Sequence, residues 1–279
     1  MLPQEINKKI EEFKKIDVTD IQSIYKKILE FKEIDLLAPV RDDVSNKILK
    51  FNVQNSFTNY RAQSIFDKEP ETIEWIRGFK DKSIFYDIGA NVGVYTIFCA
   101  LIKDINCFAF EPNALNFEPL VKNINVNKLT DKVFAYPIGL SDVTEFTTLY
   151  MNDLTAGSSG HSVGKPYDHN LQISEFNKKQ QVLSIKVDDL IEKWNFPIPN
   201  YLKIDVDNIE NKVVKGASKL IQNKKLKSVL IEINPQRKID LDILNFFSAH
   251  GFKFNKDQVK KATRNEGWNK GYANHIFYR

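Results

Sequence analysis

Ile84-Phe85-Tyr86-Asp87-Ile88-Gly89-Ala90-Asn91-Val92-Gly93-Val94-Tyr95-Thr96 reads as an apolar strand ending beside an acid, a tight turn carrying glycine, and the start of a helix. Gly89 and Gly93 let backbone approach a ligand with no Cβ in the way, and the helix N-terminus offers N–H groups to a carboxylate or phosphate. Asp87 is placed to take a ligand's ammonium. A second apolar run, 107–110, ends on Glu111, about 20 residues beyond the turn, where a carboxylate can accept hydrogen bonds from both hydroxyls of a ribose. A nicotinamide dinucleotide uses related geometry, but its fingerprint wants glycine at the first, third and sixth places of the turn. Counting from Gly89, the third and sixth are Asn91 and Val94, so that ligand is disfavoured.

Outward from this stretch, apolar strands alternate with helical patterns, which predicts βαβ units and a mainly parallel sheet, an α/β fold. Strands are expected at 84–88, 107–110, 133–138, 201–204 and 228–233, helices at 94–103, 118–127, 210–222 and 241–250. Two extra strands, 145–151 and 181–187, flank a polar stretch from 152 to 180 with three glycines and no period. So long a connection predicts a functional loop or lid. Residues 252–255 and 275–279 read as a closing pair of strands.

Before residue 81 the pattern differs. Ile6, Ile10 and Phe13, then Ile21, Ile24, Ile28 and Phe31, recur at helical spacing, and Thr19 with Gln22 matches a capping box. Residues 1–80 are therefore expected to form a helical extension and connecting segment, with the α/β domain at 81–279. A strand is expected at 49–53 and an irregular polar segment at 55–69, after which Pro70 suits the first turn of a helix.

At 279 residues and 42% apolar composition the chain can bury a substantial core. Its net charge of +4 comes from lysines scattered through most polar stretches, which gives no reason to expect nucleic acid. Cys99 and Cys107 fall in apolar patterns and read as buried hydrophobes in a reducing compartment. No run is long and apolar enough for a membrane span and the first residues carry no signal pattern, so a soluble cytoplasmic protein is expected.

Asp87-Ile-Gly-Ala-Asn-Val-Gly-Val-Tyr-Thr, Phe110-Glu-Pro-Asn, Gly139-Leu-Ser-Asp, and Lys203-Ile-Asp-Val-Asp followed by Lys215-Gly-Ala resemble, in order, the motifs of the FkbM-type methyltransferases. The resemblance covers roughly residues 60–279. It implies the Rossmann-like class I methyltransferase fold, with a mainly parallel seven-stranded sheet and helices on both faces. It further implies S-adenosylmethionine as methyl donor and O-methylation, commonly of sugar hydroxyls in glycans, nucleotide sugars or natural products. Carried over residue by residue, it puts Asp87, Gly89, Asn91 and Gly93 at the methionine end, Glu111 on the ribose, and Ser141 with Asp142 near the adenine. Ala90, Thr96 and Pro112 are further cofactor-binding candidates. One position departs from the pattern: Asn208 stands where the family usually has glycine, and Asn tolerates positive φ better than other side chains.

Methyl transfer from a sulfonium needs the acceptor oxygen in line with the methyl carbon, and a protonated hydroxyl calls for a base within hydrogen-bond reach. Asp205 and Asp207 follow the strand 201–204, where open α/β sheets gather ligands, although an Asp there also serves to cap a following helix. Glu232 ends the next strand, where a charge is costly without a partner or a task, and Asn234 follows it. These three carboxylates are the catalytic candidates. Lys68 and Glu69, before Pro70, also resemble the family and, with Asn234, are the substrate-side candidates; a solvated surface pair fits Lys68 and Glu69 nearly as well. His161 and His169 match no metal signature, so no metal site is expected. Mg²⁺ on Asp205, Asp207 and Glu232 is conceivable but not favoured.

The expected partner is a small-molecule or glycan acceptor, with self-association open. Two alternatives stand beside a sugar O-methyltransferase. One is a methyltransferase acting on RNA or protein, disfavoured because Lys203-Ile-Asp-Val-Asp stands where base-amino methyltransferases usually carry Asn/Asp-Pro-Pro-aromatic. The other is a cofactor-binding pseudoenzyme in which Asn208 has disabled the acceptor side.

Overall fold

The computed structural model describes residues 3–15, 20–32, 35–167, 172–207, 209–267 and 270–279. Two helices come first, α1 (Pro3–Lys14) and α2 (Ile21–Lys32). The carboxylate of Asp20 accepts the N–H groups of Gln22 and Ser23, both at 3.1 Å, and so caps α2. Thr19, the cap expected from sequence, lies outside the described residues.

Next stands a hairpin, β1 (Leu37–Asp42) and β2 (Lys47–Asn52), where the sequence predicts only a strand at 49–53. Pro39 hides β1 because proline is foreign to a central strand; β1 pairs with β2 alone and needs no donor there. Residues 55–69 are likewise not irregular. They contain α3 (Ser56–Gln63), started by a capping box in which Asn55 and Thr58 bond each other's backbone N–H groups. The helix buries only Thr58 and Ala62 and so shows no apolar stripe in sequence. α4 (Pro70–Arg77) follows, with proline in its first turn as expected.

The main sheet is built from β3 (Ile84–Ile88), β4 (Asn106–Phe110), β5 (Val133–Tyr136), β10 (Tyr201–Ile204), β11 (Ser228–Ile233), β12 (Lys253–Phe254) and β13 (Ala273–Tyr278). Its order is β12-β13-β11-β10-β3-β4-β5. Strands β11, β10, β3, β4 and β5 run parallel, and β13 runs antiparallel beside β11. This is the seven-stranded Rossmann-like arrangement expected. The chain runs outward from β3 to β5, then returns to add β10 and β11 on the other side of β3. The order therefore reverses between β3 and β10, where such sheets open a crevice at their strands' C-terminal ends.

Helices α5 (Val94–Ile102) and α6 (Ala114–Val126) connect β3, β4 and β5. α6 begins four residues earlier than the expected 118, capped by Asn113, and carries Pro119 in its interior. A smaller sheet lies between β5 and β10, made of β6 (Gly139–Leu140), β7 (Glu145–Met151), β8 (Ser162–Val163) and β9 (Lys178–Ile185). Val187, expected to end β9, instead opens α7 (Val187–Trp194). Helices α8 (Glu210–Gly216), α9 (Ser218–Gln222), α10 (Lys238–Ala249) and α11 (Lys256–Ala262) complete the chain; the single helix expected at 210–222 is broken at Ala217.

Alternation along the strands splits the core. Phe85, Cys107 and Tyr201 face one side, packed with α5, α4 and the hairpin through Phe98, Ile76 and Phe51. Tyr86, Phe110 and Leu202 face the other, with Leu190, Val213 and Phe247. Ala38, Leu49, Ala62 and Ile73 belong to the first cluster, so the hairpin, α3 and α4 share the α/β core and the division at residue 80 does not separate two units of packing. The hairpin is also pinned to the glycine turn: Asn123 accepts the N–H of Asn52 at 2.6 Å and donates to the carbonyl of Val92 at 2.8 Å. No helix among the described residues is long and apolar enough to cross a membrane.

Candidate active site

A cleft partly open to solvent lies over the reversal between β3 and β10. Its floor is the glycine turn. Gly89 has φ 78°, and a Cβ there would stand 1.9 Å from the carbonyl oxygen of Asp205, so only glycine lets the ends of β3 and β10 close together. Gly93, at φ 81°, precedes α5; no side chain caps this helix, and Val94 and Tyr95 of its first turn line the cleft. Free N–H groups there suit a carboxylate. Asn91, at φ 52°, accepts the N–H of Val92 through Oδ1 and donates through Nδ2 to the carbonyl of Ser158.

Glu111 follows β4 and lines the cleft at 5% exposure. Its oxygens accept the N–H groups of Asn91 at 2.8 Å and Asn113 at 2.9 Å. Burial outweighs these bonds and pushes its carboxyl up to about 7. A carboxylate has more lone pairs than these two donors use, so room remains for the hydroxyls of a ribose. Pro112 also lines the cleft.

Beyond the turn lies a network of buried charges. Lys203 on β10 is register-paired with Asp87 on β3, and both point to the same face of the sheet. At 1% exposure, Lys203 donates to Asp205 at 2.7 Å, stands 3.7 Å from Asp87, and sits over the ring of Tyr95. Burial pushes the Asp205 carboxyl up, but the ammoniums of Lys203 and Lys68 more than reverse this and hold it well below the usual carboxylate range. Asp87 goes the other way, raised chiefly by burial. Its other oxygen accepts the hydroxyl of Thr96 at 2.5 Å. Neither Asp87 nor Thr96 lines the cleft. Asp87, expected to take a ligand's ammonium, points inward and supports Lys203, while Asp205 lines the cleft.

Lys68 and Glu69 do not form a solvated pair. They bond at 2.9 Å, with Glu69 buried and also accepting from the hydroxyl of Tyr95 at 3.0 Å and from Arg264 at 3.2 Å. Lys68 lines the cleft; Glu69 supports it from behind. Arg264 bonds Glu232 as well, which supplies the partner that a charge on β11 requires. Burial and the nearby Asp205 raise Glu232 to about 7, but its side chain does not line the cleft.

The loop after β7 forms the roof. Asp207, at φ 49°, accepts the N–H groups of Gly160 at 2.7 Å and His161 at 3.3 Å. Arg61 donates to the carbonyl of Gly157, and Asn116 accepts the N–H of Gly157. The loop is therefore fastened from several sides, and Asp207 is one of the fasteners. His161 lines the cleft beside Asn113 and Ser158 and, lowered by burial, favours its neutral form. Asn208 and His169 lie outside the described residues.

Three candidates stand away from the cavity. Ser141 and Asp142 follow Leu140, which lines it, and turn to α8: Asp142 takes Lys215 at 3.0 Å, and a Cβ on Gly216 would lie 2.0 Å from the carbonyl of Ser141. Two separate sequence motifs thus meet as one packing contact. Asn234 shapes the turn before α10, accepting the N–H of Gln236 and donating its own N–H to Asp240. In their place the cleft recruits Arg61, Ser64, Tyr95 and Lys203, to which sequence reasoning assigns no role. The capping signal Asn55-x-x-Thr58 could have announced the helix bearing the first two, and a lysine inside an apolar strand, like Glu232, signals a buried partner. Among the described residues no cluster of His, Cys, Asp and Glu has metal-holding geometry.

Residues 87–254 match the family model described as the methyltransferase FkbM domain, more than half of the chain. The chain belongs to the FkbM methyltransferase family. A curated relative of this FkbM-family chain, hexuronic acid methyltransferase AglP of Haloferax volcanii, is 24% identical over 197 residues, 71% of this chain and 75% of the relative. Among solved structures, methyltransferase FkbM from Methylobacillus flagellatus KT is 17% identical with TM-score 0.48, covering 72% of this chain. The match spans 44% of that protein's length. Precorrin-6y C5,15-methyltransferase from Geobacter metallireducens GS-15 is 11% identical with TM-score 0.43, covering 76% of this chain and 86% of that one.

Proposed function

We propose that this FkbM-family protein is an S-adenosylmethionine-dependent O-methyltransferase whose acceptor is a sugar hydroxyl of a glycan, nucleotide sugar or natural product. The observation that carries it is a single cleft lined by a buried Glu111, by the uncapped start of α5 and by an ionised Asp205. This set fits the reaction: an acid for ribose hydroxyls and N–H groups for a carboxylate on the donor, and a carboxylate beyond the turn for the acceptor. The cofactor, when bound, supplies a methyl group on a sulfonium. The hexuronic acid specificity in the name of the Haloferax volcanii relative supports a sugar as the acceptor class.

Within this scheme Glu111 holds the ribose and the first turn of α5 holds the methionine carboxylate. Asn91 braces the turn against the roof through Ser158. Asp205 accepts the hydrogen bond of the acceptor hydroxyl and aims its oxygen, and Lys203 and Asp87 beneath keep Asp205 charged and oriented. A carboxylate held so firmly ionised is a weak base, so its contribution is orientation first and proton acceptance only as the oxygen–methyl bond forms. Lys68, backed by Glu69, lines the acceptor side. Glu232 would act through Arg264 and Asp207 through the roof loop.

Mass spectrometry of products, after incubation with S-adenosylmethionine and a panel of nucleotide sugars and glycans, tests this. A gain of one methyl on a sugar is expected. Cofactor binding with no methylated sugar in the panel, and methyl transfer to RNA or protein instead, would sink the assignment.

A further inference from the structure

Phe57, Arg61 and Ser64 lie at i, i+4 and i+7 of α3 and its cap, so they share one direction, with Tyr60 flanking them. Arg61 and Ser64 line the cleft. One turn further out the same stripe becomes aromatic and open: Phe57 is 47% exposed and Tyr60 56%. The adjoining face of the helix, Thr58 and Ala62, is buried. Two neighbouring aromatic rings left in water on the continuation of a cleft wall are a cost that folding alone does not explain. Their backbone is also fixed. A Cβ on Gly157 would lie 3.0 Å from the N of Thr58 and 3.1 Å from the carbonyl carbon of Phe57, so the roof loop rests directly on this end of α3, and Arg61 ties the two together.

We propose that Phe57 and Tyr60 form a sugar-binding platform that extends the acceptor site outward, stacking on a ring of the acceptor glycan beyond the one that is methylated. The occupant follows from chemistry and continuity. A pyranose ring presents a face of C–H groups that stacks on an aromatic ring, while its hydroxyl edges stay in water, and an amphipathic, half-exposed tyrosine suits that division. The platform adjoins the cleft through Arg61 and Ser64, so a chain of sugars can lie on both at once. An acceptor longer than one sugar is thereby favoured over a monosaccharide. The proposal rests on the acceptor being a sugar.

The test uses wild type and the variant Phe57→Ala/Tyr60→Ala, both loaded with S-adenosylhomocysteine, with maltotriose and trigalacturonic acid as probes in saturation-transfer NMR. Both substitutions keep Cβ, so the seat of the roof loop is preserved, and calorimetric affinity for S-adenosylhomocysteine is expected to be equal in the two proteins. Wild type should transfer saturation to at least one trisaccharide, and the variant should bind that sugar about tenfold more weakly, as expected for the loss of ring stacking worth roughly 1.4 kcal/mol. Phe57→Trp, which keeps a ring, should retain binding. Equal sugar binding by wild type and the double variant overturns the platform while leaving a sugar acceptor intact. No transfer to either trisaccharide also overturns it, and only the product analysis described above then decides whether a sugar is the acceptor at all.

Discussion

The carbonyl oxygen of Asp205 occupies the space that any side chain on Gly89 would need, 1.9 Å from the position of its Cβ. This contact brings the ends of β3 and β10 together and sets the glycine turn beside Asp205. Gly89→Ala has to push a backbone carbonyl aside and hold a positive φ, so it should cost roughly 2–5 kcal/mol and weaken S-adenosylmethionine binding. Urea unfolding with calorimetry checks both, and a variant with wild-type midpoint and affinity would show that the two strand ends are not locked.

Glu111 gives donor binding a pH dependence. Its carboxyl is raised to about 7, so without donor the folded state keeps a proton that the unfolded chain releases near 4.5. The sign follows: this group lowers stability as pH rises from about 4.5 to about 7. Ribose hydroxyls donate to the ionised form, so affinity should fall about tenfold between pH 8 and pH 6. Glu111→Gln should bind more weakly by about 1–3 kcal/mol and lose that dependence. Titration calorimetry at the two pH values decides; an undiminished affinity in the variant removes Glu111 from the ribose.

Asp205 and Lys203 should separate in their effects. Asp205→Asn keeps the shape but removes the charge, and the methyl-transfer rate should fall by roughly 10²–10⁴ with donor affinity little changed. Lys203→Met leaves the buried Asp87 and the half-buried Asp205 without their shared cation and should cost about 3–5 kcal/mol of stability. With donor saturating, whatever folds should lose turnover at a higher pH than wild type, because Asp205 then titrates higher, whereas in wild type it is held low. Chelator should leave the wild-type rate unchanged. Full activity of Asp205→Asn would shift the search to Asp207 and Glu232, and a chelator-sensitive rate would revive Mg²⁺.

The first helices stand apart from the machinery. Among the described residues the core clusters begin at Ala38, and those lining the cleft lie at Arg61 or beyond. Deleting residues 1–34 should therefore lower stability or change the oligomer while turnover persists. Size-exclusion chromatography and a methyl-transfer assay measure the two effects. A folded, donor-binding but inactive truncation would contradict this separation.

What was legible in the chain was what neighbours in sequence decide. Strands 84–88, 201–204 and 228–233 stand where alternation and apolar runs put them, and Gly89 and Glu111, singled out from local pattern alone, line one cleft. Where a local signal was missing, elements were missed. α3 buries too little to show a stripe, and β1 is disguised by Pro39, which only an unpaired edge excuses.

The amino-acid sequence by itself determined the α/β alternation, the glycine turn, the ordered family motifs and the set of ionisable side chains available. Only the tertiary structure decided how those side chains are used. Asp87 and Lys203 are far apart in the chain, and register between β3 and β10 makes them neighbours; that pairing turns Asp87 inward and leaves Asp205 to face the cleft. In the same way Asp207 became a fastener of the roof, and Glu232 the partner of Arg264. The physical reason is range. Backbone preference and hydrophobic period act over a few residues, whereas the partner of a buried charge is chosen by strand order and packing.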